Sequence, residues 1–296
     1  MGQLQALAVY ITELAPAKKR GYIGSFANVT TVAGVLLATI TAAVVTKVFS
    51  QEALVEYGWR IPFYVNFLVV LSGYYIRLKL PESFLFSSQE LQQANPFVEV
   101  IKNHKLETFK IFCYVICIAV AYYTFNVFST AYLASLLKLN YLTSLYISIV
   151  SILLLIILIP IAGYFSDVFG RKKLTIIAIT CMIVFIYPVY IGFSQKILWL
   201  ALMCQFIFAI LIALYLAPLP AMMAEQVKTK IRCSSVAFGY NLSLAVFGGT
   251  APIINIYLIK NFESNLAPGV YLAITGIVSL VAVTFMKDRT GKNLSQ

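Results

Sequence analysis

The chain has 296 residues, 61% of them hydrophobic and 11% charged, with a mean hydropathy of +0.88 and a net charge of +11. That composition excludes a water-soluble globular protein of this size and predicts a chain crossing a membrane several times. The positive charge is no nucleic-acid footprint, because the basic residues sit between apolar runs without interleaved aromatics. Cys113, Cys117, Cys181, Cys204 and Cys233 form no CxxC, and His104, the single histidine, has no ligand partner near it in sequence. Neither a metal nor any other cofactor is therefore expected.

In chain order, Met1 to Leu14 is apolar but has no basic residue ahead of it, and Glu13 stands where a cleavage site would need small residues. It reads as a short stub, not a signal peptide. After Lys18, Lys19 and Arg20 come apolar runs at 21–46 and 61–76, then a polar stretch at 81–110. Six more runs follow, at 111–137, 141–164, 174–195, 197–223, 233–259 and 268–286. Each run is near the length needed to cross a hydrocarbon core of about 30 Å. The expected fold is thus an all-α polytopic membrane protein with eight full spans plus the stub. Residues 163–173, GYFSDVFGRKK, form a basic turn between two of the spans, and Pro160, Pro188, Pro218, Pro220 and Pro252 are expected to kink theirs.

Alternate connections sort the Lys and Arg residues. Seventeen fall on one side, including Lys18 to Arg20, Arg171 to Lys173 and Lys287, and five on the other: Lys47, Arg60, Lys138, Lys196 and Lys260. The richer side should be cytoplasmic, which puts the C-terminus in the cytoplasm and the chain in a plasma membrane, a bacterial inner membrane if the source is bacterial. No carboxylate falls in the middle of a span, where proton carriers usually sit.

An internal repeat underlies this pattern. Glu13-x6-Arg20 leads into a span with Asn28, and Glu225-x6-Arg232 leads into a span with Asn241. The Glu and Arg are each offset by 212 residues and the Asn by 213. Same-direction repeats of this kind are expected of carriers built from two related halves. By this symmetry the first half is short of about a hundred residues, so the chain reads as a fragment. The expected units are 1–80, the remainder of a first half, 81–110, a cytoplasmic linker, and 111–296, a complete six-helix second half.

The chain resembles the metabolite:proton symporter branch of the major facilitator superfamily, which includes proline/betaine, α-ketoglutarate, citrate and shikimate permeases. The resemblance lies in ALAVYITELAPAKKRG at 6–21, GWRIPF at 58–63, RLKLPESFLF at 77–86, the 163–173 loop with its Gly163-x3-Asp167-x2-Gly170-Arg171-Lys172 pattern, and FGGTAPII at 247–254. Where members carry Gly-Gly-Glu, this chain has Met1-Gly2-Gln3, a neutral amide in place of an acid.

The resemblance implies secondary active uptake of a small osmolyte or carboxylate with protons, by alternating access, with a lipid bilayer, a small solute and the proton as partners and no nucleic acid. It also implies that Asp167 and Arg171 reach the start of the span at Gly21 as a latch. The alternative is that Asp167 caps its own turn while Arg171, Lys172 and Lys173 only set topology. Glu13 with Arg20, and Glu225 with Arg232, are expected as ion pairs. Asn28, Tyr122, Tyr123, Asn126, Tyr240 and Asn241 are expected to line a substrate path, with Thr31, Asn66 and Gln205 as further neutral candidates; tyrosine faces would suit a quaternary ammonium. An intramembrane enzyme is not expected, since no mid-span His, Asp or Cys constellation exists. A nonfunctional remnant, or a half that pairs with a separately encoded partner, stays open.

Overall fold

A computed structural model describes residues 2–79, 104–137, 140–292 and 294, and all regular structure among these residues is helical. The first helices are α1 (Gly2–Leu14), α2 (Arg20–Val48), α3 (Gln51–Glu56) and α4 (Ile61–Lys79). Then come α5 (Lys105–Tyr123) and α6 (Ser129–Leu137), joined by a π-helical segment at Thr124–Phe128. The remainder are α7 (Tyr141–Phe169), α8 (Arg171–Ser194), α9 (Leu198–Leu216), α10 (Leu219–Gln226), α11 (Thr229–Ser243), α12 (Ala251–Phe262) and α13 (Ala267–Thr284). Helices dominate because lipid offers no hydrogen-bond partners, so each span must satisfy its own backbone. Among the described residues, seven helical stretches are long and apolar enough to cross a membrane. The eighth expected span coincides with α4, whose apolar stretch is shorter.

Two boundaries depart from the expected ones. Most of the 81–110 linker lies outside the described residues, but its end is helical, because α5 starts at Lys105 rather than at residue 111. Thr108 Oγ1 donates to the His104 carbonyl in that first turn, and the charged side chains there do not interrupt the helix. The 163–173 turn is also far shorter than its polar composition suggests. Helix α7 runs to Phe169, and Gly170 alone separates it from α8. Gly170 has φ +97°, a conformation that side-chain-bearing residues rarely adopt, and this lets one residue reverse the chain. Pro218, Pro220 and Pro252 sit at helix starts, whereas Pro160 and Pro188 lie within continuous helices.

Helix α5 occupies the centre of the second part of the chain, buried from Ile111 through Ala121 with few exceptions and packed against α11 and α13. The most extensive helix pair joins the two parts: α2 lies along α7. Its tightest point is Gly21 against Gly163. A Cβ on Gly21 would meet Ser166 Oγ at 2.1 Å, and one on Gly163 would meet Ser25 Oγ at 2.8 Å and the Gly21 carbonyl at 2.9 Å. Small residues here let the two backbones approach, as apolar helices in lipid require for close packing.

Candidate functional site: a charged cluster and a neutral cavity

The start of α2 has no side-chain cap of its own. Asp167, in the last turn of α7, supplies it: Oδ1 accepts from the Gly21 amide at 2.9 Å and Oδ2 from the Tyr22 amide at 2.8 Å. An anion at a helix N-terminus meets unpaired N–H groups and their partial positive charge. The carboxylate also accepts from Arg171 Nε at 3.1 Å. Arg171, with no exposed surface, donates in addition to Glu225 Oε1 and, at 2.9 Å, to the Ala17 carbonyl. One guanidinium thereby ties the α7–α8 reversal to the end of α10 and to the turn ahead of α2.

Glu13, Arg20, Glu225 and Arg232 join this cluster, but not in the expected pairs. Arg20 Nη1 lies 3.6 Å from Glu225 Oε1, and Arg232 Nη1 lies 2.5 Å from Glu13 Oε1, so the ion pairs cross between the repeats. The cause is local geometry. Arg20 Nε donates to the Thr12 carbonyl and Arg232 Nε to the Ala224 carbonyl, each eight residues earlier. The repeat's own Glu is the next residue on, about 100° further round the helix, and faces the other unit. Thr12 and Ala224 are themselves 212 residues apart, so the repeat extends to this backbone contact. Glu225 Oε2 is buried and accepts no hydrogen bond among the described residues. Lys172 takes no part in the crossing: its ammonium donates to the Thr284 and Met286 carbonyls at the end of α13.

A cavity of about 290 Å³ lies further into the bundle, between α1, α2, α5, α9 and α11. Asn28, Thr31, Tyr122, Tyr123, Tyr240 and Asn241 line it together with Gln5, Val32, Ile118, Ala119, Leu216 and Leu244. No Asp, Glu, Lys, Arg or His is among them. Asn28 Nδ2 donates to the Leu216 carbonyl at 2.7 Å, bridging α2 and α9. Asn126 is not in the wall; its amide donates to the Tyr122 carbonyl one turn back, within the π-helical region. Gln205 is wholly buried elsewhere, donating to Ser129 Oγ at 3.0 Å, and Asn66 is exposed on α4. Gln5, which the sequence pattern did not single out because it sits in the short stub, is polar in an apolar stretch, the signal that could have found it.

Residues 2–116 match the family described as "Sugar (and other) transporter", and residues 146–295 match "Major Facilitator Superfamily". A Staphylococcus aureus protein named as a candidate proline/betaine transporter is 27% identical over 99% of this chain. The ectoine/proline transporter ProP of Corynebacterium glutamicum is 24% identical over 99% of it. The chain spans 64% and 62% of the length of these two relatives. Its fold is similar to that of the proton:xylose symporter XylE bound to 6-bromo-6-deoxy-D-glucose, with a TM-score of 0.73 and 21% identity, covering 97% of this chain and 68% of that one. With more than half of its residues in the match, helices of membrane-spanning length and this carrier fold, the chain belongs to the major facilitator superfamily.

Proposed function

We propose that the chain is the greater part of a secondary active carrier for a small, net-neutral osmolyte of the proline/betaine kind, taken up with protons by alternating access. Residues 1–80 form part of the first half, 81–110 the linker and 111–296 the second half, with eight full spans. The basic end, with the C-terminus, faces the cytoplasm of a bacterial cell, as the Lys and Arg bias supports. The charged cluster is the cytoplasmic gate and the cavity is the substrate site.

The carrying observation is that Asp167 caps a helix of the other half through the Gly21 and Tyr22 amides. A bond between halves can be made in one state and broken in the other, which alternating access requires. Gly163 and Gly170 allow the close approach and the reversal that hold Asp167 there, and Arg171 is its counter-ion. The cavity favours a zwitterion over a dicarboxylate such as α-ketoglutarate, because its wall has three tyrosines and no cation to offset a second carboxylate. Its size is at the small end of small-molecule sites. The relatives' names point to the same solutes, and the proton is the co-substrate in XylE's name.

The test is uptake of labelled glycine betaine or proline into proteoliposomes under an imposed pH gradient, with Asp167→Asn alongside. Uptake that Asp167→Asn abolishes supports the reading, and gradient-independent equilibration alone would sink the symport part.

A further inference from the structure

The segment after α13 is fastened to the charged cluster at successive points. Met286 is buried, and its carbonyl accepts from Lys172 Nζ at 2.7 Å. Lys287 pairs with the Gln226 side chain through both backbone groups: its amide donates to Gln226 Oε1 at 3.0 Å and its carbonyl accepts from Gln226 Nε2 at 2.9 Å. Asp288 Oδ1 accepts from the Thr290 amide and hydroxyl. With its proton committed to Asp288, the Thr290 hydroxyl is left as an acceptor, and it receives the Arg171 amide at 3.0 Å. Helix α8 has Gly170 as N-cap and so no side-chain cap of its own; Thr290 provides one from the tail. Gly291, at φ +74°, then turns the chain, and the Lys292 carbonyl accepts from Arg20 Nη1 at 2.8 Å.

These contacts are not equivalent. Gln226, Arg171 and Lys172 belong to the same part of the chain as the tail, so those bonds survive a movement of the two parts against each other. Arg20 opens α2 and is also the partner of Glu225 across the repeats. Its bond to Lys292 must break when that pair separates.

We propose that residues 286–292 are a strap that moves with the second half and fastens the closed arrangement through the Lys292 carbonyl and the Arg20 guanidinium, so that seating or displacing the tail sets the ratio of closed to open carrier. The proposal rests on the reading of the cluster as the gate. Because the partner at the strap's end is a backbone carbonyl, the fastening depends on the path of the chain, not on the side chain at 292. Thr290 and Gly291 set that path. An exposed tail (Lys287, Asp288 and Gly291 face solvent) is open to displacement by anything that binds it, which a buried ion pair is not.

The test uses the full chain in inside-out membrane vesicles, with the native cysteines replaced and Ser25→Cys as reporter. Ser25 has no exposed surface and faces Gly163 across the α2–α7 contact, so a membrane-impermeant maleimide reaches position 25 only when the cluster opens. Asp167→Asn is the control for the gate itself. Gly291→Val, which the left-handed φ disfavours, Thr290→Ala and a stop after Met286 are each expected to raise the labelling rate about threefold to tenfold, as for loss of one or two hydrogen bonds. Thr290→Ser should match the parent. Unchanged labelling in the strap variants while Asp167→Asn raises it overturns the strap and leaves the gate standing. If Asp167→Asn also leaves labelling unchanged, the gate reading falls and takes the strap with it. Should the shortened chain fail to reach the membrane, Gly291→Val and Thr290→Ala decide, since both positions lie in the tail outside the helices.

Discussion

Arg171 donates to Glu225 Oε1 with neither side chain reaching solvent, and the two residues come from α8 and α10, with the whole of α9 between them in sequence. A buried pair of this kind adds little over a well-packed apolar one, but removing one partner strands the other charge. That asymmetry makes a half-broken cluster costly.

Removal of one member should therefore be severe. Glu225→Ala leaves the Arg171 and Arg20 guanidinia without their shared carboxylate, and a loss of about 3–5 kcal/mol in stability of the folded chain is expected. Thermal unfolding in detergent measures it. Glu225→Gln, which removes the charge but keeps an acceptor oxygen, should lose less than Glu225→Ala; equal losses would mean that the charge carries the whole effect and the retained oxygen none.

The crossed pairing predicts where coupling lies. A double-mutant cycle on Glu13 and Arg232 should give a coupling of about 0.5–1 kcal/mol, at the low end because the Glu13 side chain is 24% exposed. Cycles on Glu13 with Arg20, and on Glu225 with Arg232, should be close to additive. Stronger coupling within a repeat than across it would contradict the geometry.

The α2–α7 contact has a steric prediction. Gly21→Ala places a methyl 2.1 Å from Ser166 Oγ, which must turn away and give up its bond to the Gly163 carbonyl, and a destabilisation of about 1–3 kcal/mol follows. Adding Ser166→Ala removes the nearest atom and should recover part of the loss. The remaining part belongs to Asp167 Oδ1 at 2.8 Å and the Gly163 carbonyl at 3.0 Å, which must also give way.

The cavity predicts a substrate signature. Tyr240→Phe keeps the aromatic face and should leave the KM for glycine betaine within about threefold, whereas Tyr240→Leu removes the face and should raise it about fivefold or more. Uptake assays on the two variants separate a ring-face role from a hydroxyl role; an equally large effect from Phe and from Leu, which both lack the hydroxyl, would assign the contact to the hydroxyl.

The sequence by itself determined the helical order and the repeat. Runs of apolar residues in lipid must satisfy their own backbone, so run length was enough to read that the chain is helical and where most of its long helices lie, though not where α5 starts or how short the turn at residue 170 is. The spacing of Glu13, Arg20, Glu225 and Arg232 was likewise legible, as were most of the cavity's polar residues, because polar side chains in apolar spans are conspicuous. Tertiary structure alone decided which Glu meets which Arg, since that depends on the direction a guanidinium takes after binding a carbonyl eight residues back. It also decided that one glycine suffices for the turn at residue 170, that Gln5 joins the cavity while Asn126 and Gln205 do not, and that the tail reaches Arg20. Those are matters of rotation about helix axes and of closeness between backbones, and a linear pattern carries only the first turn of either.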